Sequence, residues 1–107
     1  MSKFLMQVSF TREGTRGLTK EGGTKRRQMV EQFFGAVGGK LEVLYFAFGD
    51  TDVYAVADFP DNVSAAAISL AANSTGAVRA RATVLITPEE MDQAAQKSEG
   101  LHPPGVS

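Results

Sequence analysis

Asp50 and Asp52, two residues apart in the stretch Gly49-Asp50-Thr51-Asp52, are the first side chains here whose types and spacing suit chemistry. Converged as a carboxylate pair, they would raise one pKa for acid–base work or hold a cation. Aspartates also populate turns because their side chains bond local backbone, and for Asp50 this is the simpler reading. Tyr45 and Tyr54 flank that turn, as aromatic rings with a polar tip that serve an interface or contact a ligand. Asp58, Arg79 and Arg81 fit either an ion pair across an interface or a guanidinium fork for an anionic ligand. The only histidine, His102, stands in a proline-rich tail. It reads as solvent-facing, with a general base closing a partner's cavity as the functional alternative. No cysteine is present, which removes disulfides, thiolate metal sites and a cysteine nucleophile. No Gly-x-Ser-x-Gly elbow occurs, and one histidine is a poor start for a metal site. No metal and no cofactor are expected.

Composition bounds the rest. The 107 residues suit a single domain spanning 1–107, and 43% hydrophobic with 21% charged residues is ordinary for a globular chain. A net charge of −1 gives no footprint for a phosphate backbone, so no nucleic-acid partner is expected. Lys25-Arg26-Arg27 reads as a solvated helix face. The N-terminal stretch MSKFLMQVSF lacks the pattern of a secretory signal, and no apolar run reaches membrane-spanning length. The expected setting is therefore cytoplasmic, without a membrane partner.

These side chains must be positioned by a run of short elements. Lys3 to Phe10 alternates as a strand. Thr11 N-caps a helical segment to about Val37, with a break expected at Gly22-Gly23 and an end at Gly38-Gly39. Leu41 to Phe48 and Val53 to Phe59 read as two strands of a hairpin around Gly49-Asp52. Asn62 to Ser74 is an alanine-rich helix with Val63, Ala66, Ala67, Leu70 and Ala71 at core spacing. Ala77 to Ile86 is a fourth strand. Thr87-Pro88-Glu89-Glu90 is a capping box for a short helix to about Lys97. The tail, residues 98–107, reads as irregular. The order is β-α-β-β-α-β plus a terminal helix, an α+β, ferredoxin-like antiparallel sheet with its helices on one face.

Sorting strand residues by parity gives two faces. One, from Phe4, Met6 and Val8 through Leu44, Phe46 and Phe48 to Val84 and Ile86, must lie under the helices. The other collects Leu5, Gln7, Ser9, Leu41, Val43, Tyr45, Ala47, Tyr54, Val56, Asp58, Arg79, Arg81, Thr83 and Leu85. No element is left to cover it. Left bare, its apolar members would form a patch of interface size. A second copy packed sheet to sheet is the simplest cover, giving a homodimer or higher homo-oligomer. The polar members then become partly buried, as a ligand pocket or an ion-pair network.

The run LEVLYFAFGDTDVYAVADFPDNVSAAAISLAANSTGAV, followed by LITPEEMDQAAQKS and a PPG tail, resembles the GYD domain family over essentially the whole chain. The resemblance implies membership of the dimeric α+β barrel group, which pairs such sheets face to face. Gly49 and Asp52 match the glycine and aspartate of the family name, and Thr51 stands in place of its tyrosine. With that match, Asp52 is balanced between a turn role and a functional one. The Gly-x-x-Asp turn is also similar to that of the amino-acid-binding domain of leucine-responsive regulators. The expected function is a homo-oligomeric small-molecule-binding or regulatory domain. Its site lies at the sheet–sheet cavity, with Tyr45, Asp52, Tyr54, Asp58, Arg79, Arg81 and His102 as candidate ligand-binding residues. A cofactor-free oxygenase or isomerase and a purely structural oligomer are the alternatives, so enzymatic activity stays open at this point.

Overall fold

The computed structural model describes residues 1–105. Four strands, β1 (Ser2–Phe10), β2 (Lys40–Phe46), β3 (Val53–Phe59) and β4 (Val78–Leu85), form one open antiparallel sheet in the order β2-β3-β1-β4. Four helices complete the α+β fold: α1 (Arg12–Glu21), α2 (Gly23–Gly35), α3 (Asn62–Ser74) and α4 (Pro88–Ser98).

Between β1 and α1 the chain turns against β4. The Thr11 side chain accepts from the Gly14 N–H at 3.3 Å, while the Thr11 N–H donates to the Ala77 carbonyl at 3.0 Å. Close approach makes glycine necessary at position 14, where a Cβ would stand 2.1 Å from the Ala77 oxygen. The expected helix break falls at Gly22, whose φ of 84° is open to glycine at little steric cost. That reversal splits the helical stretch into α1 and α2.

The core lies on the helix-covered face. Phe4, Met6, Phe34, Ala55, Ala57, Phe59, Ala65 and Ile68 form one buried cluster. Phe59 is its fulcrum, edge-on to Phe4 at 5.7 Å and to Phe34 at 5.2 Å between ring centroids. Full burial of such a ring is worth about 3 kcal/mol. The alanines of β3 let α2 and α3 approach the sheet without a clash.

Several side-chain assignments differ from the sequence pattern. Leu41 packs on the core instead of the opposite face, because a bulge between Leu41 and Val43 shifts the β2 register by one residue. Phe48 lies beyond the end of β2 and is fully exposed, since the strand stops at Phe46. On α3 the buried residues are Ala65 and Ile68, whereas Val63 and Leu70 are 79% and 73% exposed. The roll of α3 has a visible cause. The Asn73 carboxamide accepts from the Ala80 N–H at 2.7 Å and donates to the Ala80 carbonyl at 3.1 Å. This clamp to the free edge of β4 turns the Leu70 side outward. The helices also stop short of one end of the sheet, where Ala82, Val84 and Ile86 remain exposed although parity places them under cover.

Beyond β4, the capping box forms as its sequence predicts. Thr87 accepts from the Glu90 N–H at 3.1 Å and the Glu90 carboxylate accepts from the Thr87 N–H at 2.9 Å. Every residue of α4 is exposed, and the molecule measures 58 × 29 × 22 Å. Residues 99–105 carry turns without regular structure. The rest of the tail, residues 106–107, lies outside the described residues.

Candidate functional site

Antiparallel register arranges the uncovered face in rows that run across all four strands. Tyr45 pairs with Tyr54, Tyr54 with Gln7, and Gln7 with Arg81, so two phenols, a carboxamide and a guanidinium share one line. The Arg81 guanidinium donates to the Gln7 side-chain oxygen at 3.0 Å, which fixes one end of the row. One step along, Val43, Val56, Leu5 and Thr83 form an apolar row. Tyr45 is 70% exposed, Tyr54 42% and Val43 39%. A flat aromatic and aliphatic floor edged by hydrogen-bonding groups can stack a planar ligand or meet another sheet.

Asp58 belongs to a different cluster. It faces Lys3 and Lys40 in register, and the Lys3 ammonium pairs with its carboxylate at 3.3 Å and with Glu42. The hydrogen bond to Glu42 raises the Lys3 pKa above its usual value; Asp58 adds to the shift and partial desolvation opposes it. The Val56 and Leu5 row stands between this cluster and Arg81. Asp58 and the two arginines, grouped on sequence grounds as one candidate ion pair, are thus separate within a single chain. Arg79 lies beside Ser9, one further position along β4 from the Arg81 line.

Asp52 has a well-defined local job. Its carboxylate accepts from the Phe10 N–H at 2.7 Å, its own N–H donates to the Val8 carbonyl at 2.8 Å, and its carbonyl accepts from the Ala47 N–H at 2.7 Å. The motif aspartate therefore locks the hairpin onto the end of β1. Beside it Thr51 is buried, and the Ser9 hydroxyl donates to the Asp50 carbonyl at 2.8 Å. Asp52 also borders a cavity of about 320 Å³ lined by Phe10, Leu18, Gly23 and Phe46. His102 is exposed in the tail. Among the described residues no group of three or more His, Asp or Glu side chains stands in a metal-holding arrangement. No helix among them is long and apolar enough to cross a membrane.

A larger cavity, about 500 Å³, opens on the opposite face between α2 and α3. Met6, Val8, Met29, Phe33 and Ile68 line it, with Arg26 and Thr75 as its few polar neighbours. Arg26 is held there by Glu21, whose carboxylate accepts from its Nε at 2.9 Å, and lies 5.6 Å over the Phe10 ring. Parity alone treats this face as filled. The signal for the gap was the run of small residues Ala71, Ala72, Ala77 and Ala80, which line one wall and leave its volume open. Such a groove suits an apolar molecule and holds no acid–base pair.

Neither comparison, with curated proteins or with solved structures, finds a match. The GYD domain family model matches residues 4–95, which takes in the sheet except the first two residues of β1, the Asp52 hairpin, the first three helices and most of α4, and the chain belongs to that family.

Proposed function

We propose that the chain acts as a homo-oligomeric small-molecule-binding or regulatory domain whose site forms where two sheets meet face to face. The observation that carries this reading is the bare face itself. Its Tyr45-Tyr54-Gln7-Arg81 line and its Val43-Val56-Leu5 row have no cover from the chain's own helices. The strand order β2-β3-β1-β4 supports the ferredoxin-like arrangement and, with the family, its pairing as a dimeric α+β barrel. In that pairing the tyrosines and Arg81 become partly desolvated, which strengthens their hydrogen bonds to a bound polar ligand. A planar molecule with an anionic or carbonyl edge is the chemistry this row recognises.

Light scattering and thermal-shift screening of the full chain against metabolite classes test the reading. Expected is a dimer at micromolar concentration, stabilised by at least one planar anionic class, with the shift abolished in Arg81→Ala. A monomer overturns the pairing. A ligand shift that survives both Arg81→Ala and Tyr54→Ala overturns the site. A second reading is favoured by the 500 Å³ groove between α2 and α3, which would take an apolar ligand on the other face. Ala71→Phe, which narrows that groove from its exposed wall, separates the two: it abolishes ligand stabilisation only under the second reading.

A further inference from the structure

We propose that α4 of one copy docks on a second copy, laying its Met91-Ala94-Ala95 stripe along β4 of that copy with Asp92 against its Arg81. The inference rests on the homo-oligomer reading above and adds the arm that secures it; the five N–H donors of the Arg81 guanidinium then serve Gln7, Asp92 of the other copy and the edge of a bound anion together.

An isolated helix of 11 residues is too short to persist alone in water, yet α4 has a complete N-terminal apparatus: capping box, proline in its first turn and acidic Glu89 and Glu90. Only Ile86 and Thr87 separate it from β4, so the strand sets its direction. Helical spacing puts Met91, Ala94, Ala95 and Ser98 on one stripe with Asp92 at its border. Met91 is 55% exposed, and Leu101 beyond the helix is 68% exposed. Among the described residues nothing covers that stripe.

Charge identifies the receiving surface. Arg79 and Arg81 are exposed on the uncovered face of β4, an edge strand, and neither forms an ion pair among the described residues. Arg81 meets only the neutral Gln7 carboxamide. The one cation at the α2–α3 groove, Arg26, is already paired with Glu21, so the acidic helix has no comparable counterpart there. A two-fold axis repeats the contact, and each copy gives one arm and receives one.

Sedimentation equilibrium of the full chain tests the arm. Arg81→Glu and Asp92→Arg are each expected to weaken self-association about tenfold, and the double variant to return to within about threefold of the original. Circular dichroism confirms that each variant stays folded. Single variants without effect, or a double variant no better than either single one, overturn the arm. Val56→Arg, in the middle of the apolar row, probes the sheet pairing separately. Association lost in Val56→Arg but untouched by the two charge reversals overturns the arm and keeps the sheet pairing; a monomeric original chain overturns both.

Discussion

The two faces of one four-stranded sheet, built from alternate residues of the same strands, obey different rules. On the covered face size decides. Phe4, Phe34 and Phe59 interlock edge to face, and alanines lie where a helix must come close. On the bare face chemistry decides: phenols, a carboxamide, guanidiniums and one lysine–carboxylate cluster are sorted into rows by register alone. The first face makes the domain stand up. The second is free to differ among chains that share the fold, and that is where recognition can reside.

The largest expected effect breaks the covered face. Phe59→Ala removes the ring on which both other phenylalanines lean and should cost about 3–5 kcal/mol in urea unfolding. Tyr45→Ala, measured at a concentration where the chain is monomeric, should stay within about 0.5 kcal/mol, because its ring is exposed. Equal losses at the two positions would dissolve the contrast between the faces.

A single helix carries the same contrast. Ile68→Ala on α3 should cost about 2–4 kcal/mol, whereas Leu70→Ala, two residues along, should cost almost nothing. The comparison also shows what the sequence could and could not disclose. Strand parity read most of the sheet, since alternation on β1 and β3 is clean, and the glycine break and the capping box were legible from local chemistry. Helix α3 was misread because alanine on nearly every side defines no stripe. Its rotation depends on a clamp from Asn73 to the Ala80 backbone, which helical periodicity does not encode. Leu41 was misread for the same kind of reason, one extra residue in a bulge reversing the parity upstream of it. The inter-helix cavity stayed hidden because parity says which residues face inward, and nothing about whether their volumes fill the space.

Asp52→Ala sharpens the border between the faces. It leaves the Phe10 N–H without its acceptor and loosens the hairpin where it meets the end of β1, at a cost of about 1–2 kcal/mol. Hydrogen exchange at Phe10, Asp52 and Ala47 should rise while the Phe59 region keeps its protection.

The smallest effects sit on opposite limbs of the pH profile. Asp61 caps α3, its carboxylate accepting from the Ser64 N–H at 2.7 Å, and that bond holds its pKa below the ordinary aspartate value of 3.8. Its contribution is complete above 3.8 and is lost as pH falls through the depressed value, because the unfolded chain takes up the proton first. Lys3, on the bare face, runs the other way. Its pKa is raised above 10.5, so its contribution is complete below 10.5 and is lost as pH rises through the raised value. Urea midpoints followed across pH should therefore show a slightly shallower acid slope in Asp61→Asn, which keeps a capping acceptor without a titrating group. They should show a slightly shallower alkaline slope in Lys3→Met. Both changes are small because the two side chains are wet. An alkaline slope that moved with Asp61→Asn would mean that the helix cap and the lysine–carboxylate cluster are coupled through the sheet.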